Sequence, residues 1–135
     1  MATFNKIYSF VEALAEKSHN LGSDQLVIAL TNTAHTTSWT QLSDLTQVSY
    51  ANCSSRNITT TSSAQTTGTY KLVLADLTLT ATGAVGPFQY VYIYNDTSTN
   101  DLLIGYYDYG SAVTLASGDS FAIDFDGTTG VLTNA

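Results

Sequence analysis

The stretch Gly86–Gly110, GPFQYVYIYNDTSTNDLLIGYYDYG, decides the fold class. It reads as two aromatic-rich strands joined by a polar turn, and it holds six of the nine tyrosines. Phe88, Tyr90, Tyr92 and Tyr94 share one parity, so in an extended strand they project from one face, with Gln89, Val91 and Ile93 on the other. Both faces are mostly apolar or amphipathic, which suits a strand inside a sheet covered on each side. Tyr106 and Tyr107 are adjacent and must point to opposite faces. One of them therefore meets a partner, a covering loop or water.

Outward from this hairpin the chain is punctuated into short strands. Leu26–Thr31 is an apolar run of strand length. Asn57–Ser62 is a hydroxyl-rich strand followed by a turn at Gln65–Gly68. Thr69–Leu74 alternates, with Tyr70, Leu72 and Leu74 on one face, and Leu77 and Leu79 alternate with Thr78 and Thr80. Gly110-Ser111 reads as a turn into a short Val113–Leu115 strand. Ser120–Phe125 points Phe121, Ile123 and Phe125 inward, and Val131–Thr133 closes the chain. Short strands at this spacing predict a mainly β fold, a single antiparallel β-sandwich or jelly-roll-like domain.

The N-terminal segment differs. With Thr3 as N-cap, the spacing predicts an amphipathic α-helix from about Phe4 to His19, presenting Phe4, Ile7, Tyr8, Val11, Leu14 and Ala15 on one broad face. Gly22 suits a left-handed position after the helix. Residues 1–22 are thus helix and cap, and 23–135 the sandwich, in one domain of 135 residues. Between Asn32 and Ser55 the pattern dissolves into a polar, Thr-rich loop. A turn or helical fragment is expected near Gln41–Leu45 and a weak strand near Gln47–Tyr50. Long loops in compact domains are usually functional or mobile. Trp39 within it either contacts a partner or folds back on the core edge.

The composition substitutes hydroxyls for charge. Charged residues make up 11% of the chain, while Ser and Thr supply roughly a quarter, against a charged share near 25% in average domains. Net charge is −7, with Lys6, Lys17, Arg56 and Lys71 the positive side chains. That balance argues against nucleic acid, which demands a basic stripe, and against docking on anionic lipid. No apolar run approaches the ~18 residues that span a bilayer. The N-terminus lacks the pattern of a secretion signal, so synthesis in a reducing cytoplasm is expected. The sequons at Asn52, Asn57 and Asn95 are chance matches of the kind expected in a chain this rich in Ser and Thr.

The chain carries few residues that could do chemistry. His19 and His35 are the histidines and Cys53 the one cysteine. None shows the spacing of a nucleophile with its base. Asp124 and Asp126 before Gly127 superficially suggest a calcium loop but lack its further oxygen ligands and closing Glu. Asp96 and Asp101 bracket a turn and are expected to satisfy local backbone donors. No zinc cluster or phosphate-cradling loop is present in the sequence. No catalytic residue, metal or cofactor is therefore expected.

The phrases LVIALTNTA at 26–34, TYKLVLADLTLTATG at 69–83, YNDT at 94–97 and DYG at 108–110, with the overall length, resemble a family of small structural proteins of tailed bacteriophages. The resemblance spans nearly the whole chain and includes no catalytic signature. It implies a non-enzymatic head decoration or cement protein on the outer surface of the capsid. Its partners would be the major capsid protein and copies of itself, commonly as a homotrimer. It would be made in the host cytoplasm and carried on the virion. Tyrosine and tryptophan are preferred material for recognition surfaces. The amphipathic N-terminal segment, the Trp39 loop and the second strand of the hairpin supply the candidate interface residues Phe4, Ile7, Tyr8, Val11, Trp39, Tyr106, Tyr107 and Tyr109. A tail, neck or fibre component, or a carbohydrate- or receptor-binding β-sandwich, is the alternative.

Overall fold

The computed structural model describes residues 2–134. The fold is mainly β, antiparallel and sandwich-like, with one α-helix among the described residues. In chain order the elements are β1 (Phe4–Lys6), α1 (Tyr8–Ala15), β2 (Leu26–Thr31), a 3₁₀ turn (Leu42–Asp44), β3 (Asn57–Ile58), β4 (Thr60–Thr66), β5 (Thr69–Leu74), β6 (Leu77–Thr80), β7 (Val85–Asn95), β8 (Leu103–Leu115), β9 (Ser120–Ile123) and β10 (Leu132–Asn134). A five-stranded sheet runs β1-β8-β7-β2-β3, a three-stranded sheet β10-β5-β4, and β6 pairs with β9. One hydrophobic cluster joins them, from Ile28 and Leu30 of β2 through Val91 and Ile93 of β7 to Leu72, Leu79, Ile123 and Phe125.

The hairpin forms as its sequence requires. In β7, Val91, Tyr92, Ile93, Tyr94 and Asn95 are all buried, so the strand is covered on both faces. Its parity, however, does not hold along its whole length. Register shifts between Val85 and Phe88 and again between Phe88 and Tyr90. Phe88 then packs edge-on against Phe121, with ring centroids 5.2 Å apart, while Tyr92 stacks on Tyr106 at 5.2 Å. Bulges re-aim side chains in this way. β8 also runs on through Gly110-Ser111 to Leu115, so the expected turn there is a kink inside a strand, with Gly110 at φ 82°.

The N-terminal prediction needs correction. Phe4–Lys6 is a strand, pairing antiparallel with β8 as Phe4↔Tyr107, Asn5↔Tyr106 and Lys6↔Gly105. The reason is tertiary. Pairing satisfies the β8 edge, and the Phe4 ring lies over Gly105, where a Cβ would overlap it. The helix begins after Ile7, which caps it without a side-chain hydrogen bond, so Thr3 is not the cap. It ends at Ala15 rather than His19. Lys17, at φ 70°, takes the left-handed position expected of Gly22. Ser18 N–H then reaches back to the Ala13 carbonyl at 2.9 Å.

The 32–56 segment is not a free loop. Thr40 and Leu42 bond to the β7–β8 connection, with Leu42 N–H on Asp101 O at 2.9 Å and Leu103 N–H on Thr40 O at 3.0 Å. Asp44 closes a capping box on this 3₁₀ turn. The expected strand near Gln47–Tyr50 is reduced to one bridge, Thr31↔Gln47. What the segment does instead is cover the outer edge of β2. Ile28 N–H donates to Arg56 O at 3.0 Å and Val48 N–H donates to Leu30 O at 3.1 Å. Arg56 Nη1 donates to Ile28 O at 2.6 Å, and Leu30 N–H donates to Tyr50 Oη at 2.9 Å. The Arg56 guanidinium stands 3.6 Å over the Tyr50 ring. Polar residues without periodicity thus satisfy a sheet edge group by group.

Candidate functional site

The hairpin projects its aromatic residues into two groups on opposite faces. On one face Tyr92 and Tyr106 are cross-strand partners. His35, from the 32–56 segment, stacks on Tyr106 at 4.3 Å and 22°, and its Nδ1 hydrogen-bonds the Tyr92 hydroxyl at 2.8 Å. Trp39 meets the His35 ring edge-on at 5.7 Å and lies 6.0 Å from Tyr92. A turn, with Trp39 N–H on Thr36 O at 3.3 Å, brings the two loop rings to the same spot. Trp39 therefore folds back onto the hairpin and is half-buried.

On the other face Tyr107 is buried against Phe4 at 5.6 Å and Phe125 at 6.2 Å. Tyr109 is half-buried against Phe121 at 5.1 Å. The adjacent tyrosines thus obtain different environments within one chain. Tyr107 enters the core, and Tyr106 is covered by the His35–Trp39 loop.

The eight candidate interface residues divide accordingly. Ile7 and Tyr107 are core and offer no surface. Phe4, Trp39, Tyr106 and Tyr109 are half-buried. Tyr8 and Val11 are open, at 73% and 57% exposure. With Ala15, also exposed, they form a stripe along the outer side of α1, while Ile7 and Phe10 anchor its inner side. The expected single apolar face is therefore two stripes, one buried and one open. Beside the open stripe runs a groove of about 440 Å³ lined by Phe4, Asn5, Lys6, Ile7, Tyr8, Val11, His35, Thr37 and Tyr106.

Sequence reasoning missed His35 as a contact residue. It weighed the imidazole as a catalytic base, whereas the structure uses it as a flat ring between Trp39 and Tyr106. The i, i+4 spacing of His35 and Trp39 carried that signal in a loop with no regular period to expose it.

Electrostatically the patch is quiet. Burial lowers the His35 pKa and raises that of the Tyr106 hydroxyl, with Asp108 adding to the rise. Burial pushes Tyr92 far up, with Tyr106 adding to it. These groups are uncharged at neutral pH, so the groove presents neutral rings with Lys6 at its rim. Elsewhere, Cys53 is held above its ordinary pKa by burial, against a smaller opposite effect of Arg56. Among the described residues no group of three or more His, Cys, Asp or Glu side chains could hold a metal ion. Asp126 Oδ1 instead accepts from Thr128 and Thr129 N–H at 2.8 and 2.9 Å. At the β7–β8 turn the local donors are satisfied by Asn95 Oδ1, which accepts from Thr97 and Ser98 N–H, rather than by the Asp96 and Asp101 carboxylates expected to do so. Among the described residues no helix is long and apolar enough to cross a membrane.

Comparison with models of protein families, with curated proteins and with solved structures finds no match to this chain.

Proposed function

We propose that this chain is a structural protein of a tailed-bacteriophage particle that binds the outer surface of the head and stabilises it. The phage assignment rests on the resemblance of the recurring phrases at 26–34, 69–83, 94–97 and 108–110. The single structural observation that supports a contact role is the open stripe of Tyr8 and Val11 on α1. A soluble domain seldom leaves large apolar side chains in a row unless they meet something. This stripe is rigidly held, because β1 ties the segment before it to β8 and Phe10 is buried beneath it. Many copies on one shell gain avidity, so a small patch per copy is sufficient.

A density map of the intact particle tests the reading. Density for this fold on the head exterior, with α1 facing the shell, is the expected result. Density confined to the tail would overturn the head assignment. Capsids lacking the protein should also release their DNA at a lower temperature than complete ones.

A further inference from the structure

We propose that β4 is a self-association edge, on which a second copy of this chain pairs its own β4 antiparallel about a two-fold axis. β4 lies at the end of the three-stranded sheet, bonded on one side to β5. Among the described residues no backbone hydrogen bond reaches Thr60–Thr66 from any element other than β5. An open edge of this length is a template for another strand.

Two other stretches that could offer an edge are protected. The outer edge of β2 is filled by Val48, Tyr50 and Arg56. Beyond β1, the free part of β8 is broken by the Gly110 kink, where Asp108 Oδ1 takes the Gly110 N–H at 2.8 Å and a carboxylate guards the edge. β4, TTSSAQT, has neither charge nor proline. In a chain of net charge −7, this is an edge along which two copies approach without opposing carboxylates.

The hairpin geometry fixes the register. Thr67 and Gly68 both have positive φ, 48° and 86°, as a two-residue type I′ turn requires. Thr66↔Thr69 is then a hydrogen-bonded pair, and the alternation makes Ala64↔Lys71 another. Ser63 and Gln65 therefore turn their N–H and C=O groups to the open edge. The bulge between Thr60 and Ser62 ends the regular stretch. A two-fold centred on Ala64 pairs Ser63 with Gln65 of the second copy, and the reverse, while the two Ala64 residues face each other without intervening hydrogen bonds. Ala64 is exposed and small, so its methyl groups do not obstruct the approach. The result is one continuous sheet, β10-β5-β4 followed by the same three strands of the second copy in reverse. This contact is two-fold and independent of the phage reading.

Sedimentation equilibrium of the full chain tests it. The unaltered protein should show a monomer–dimer equilibrium. Ala64→Lys, placing like charges face to face, should weaken the dimer by about tenfold or more with far-UV circular dichroism unchanged. Ala64→Cys in a Cys53→Ala background should form a disulfide-linked dimer on mild oxidation, since facing positions of a non-bonded pair suit that bond. A chain that stays monomeric at several hundred micromolar would overturn the proposal. So would a dimer indifferent to Ala64→Lys, or one that persists while Ala64→Cys fails to cross-link.

Discussion

Asn95 and His19, 76 positions apart in the chain, are joined by a hydrogen bond from Asn95 Nδ2 to His19 Nδ1 at 2.9 Å. Asn95 is completely buried and all its valences are used. Its Oδ1 accepts from Thr97 and Ser98 N–H, which fixes the amide orientation. Its second N–H donates to Asp24 Oδ2 at 2.7 Å. One side chain thereby joins the segment after α1, the approach to β2 and the end of β7. His19 must accept at Nδ1, so its proton sits on Nε2, which is buried without a partner.

Replacing Asn95 with Ala removes the buried amide and the side-chain partners of the buried His19 Nδ1 and of Thr97 N–H, while Asp24 Oδ2 keeps Asn20 N–H and Ser98 N–H keeps the Asn95 carbonyl. Each buried unpaired group costs roughly 1–3 kcal/mol. The loss of stability in Asn95→Ala should therefore be about 3 kcal/mol or more, read from urea denaturation midpoints.

The same arrangement gives a pH dependence. Burial lowers the His19 pKa from 6.5, with Asp24 opposing, and burial lowers His35 in the same direction. Below pH 6.5 the unfolded chain then binds more protons than the folded one, so stability falls as pH falls through that value toward the folded pKa. Above it the two histidines impose no penalty. The thermal midpoint should drop between pH 7.5 and 5.5. His19→Asn, which keeps an acceptor near Nδ1 but cannot titrate, should be less stable at pH 7.5 and show a shallower slope.

Gly105 is required by the Phe4 ring lying over it. Gly105→Ala should displace Phe4 and release β1, at a cost of about 2 kcal/mol from lost burial and pairing. Amide exchange at Asn5 and Ile7 should accelerate. The paired change Gly105→Ala with Phe4→Ala should recover part of the loss.

Arg56 uses its guanidinium both on the Ile28 carbonyl and over the Tyr50 ring. Lysine cannot supply the planar group that does both. Arg56→Lys should destabilise by about 1–2 kcal/mol, measured by chemical denaturation. Full stability in that variant would contradict the edge-covering role.

Tyr8→Asp and Val11→Asp change open positions, so each should shift stability by no more than about 0.5 kcal/mol. If the stripe faces the capsid, either change should remove the protein from purified particles. Retention of both variants at normal copy number would contradict that use of α1.

The strands were legible because alternation survives wherever a strand has one buried and one wet face. Thr69–Leu74 alternates in this way, and Leu26–Thr31, buried at every position, was legible instead as a short continuous apolar run; both form with the boundaries predicted. Phe4–Lys6 was misread because its apolar spacing also fits a helix, and the deciding term was a vacant edge on β8 far along the chain. His35 and Trp39 were unreadable as a cluster for a related reason. Their partners, Tyr92 and Tyr106, are more than fifty positions away, and no local period connects a loop to a hairpin.

The sequence by itself determined the antiparallel β class and the central hairpin, because pleat periodicity and turn chemistry are local. Only the tertiary structure decided the rest. It sent Tyr107 into the core and Tyr106 beneath the His35–Trp39 loop, turned the polar 46–56 stretch into a cover for β2, and left Tyr8, Val11 and the β4 edge open. The physical reason is that exposure is a property of what packs against a residue. Once neighbouring strands have claimed one face, identical side chains on either side of the pleat become core or contact surface.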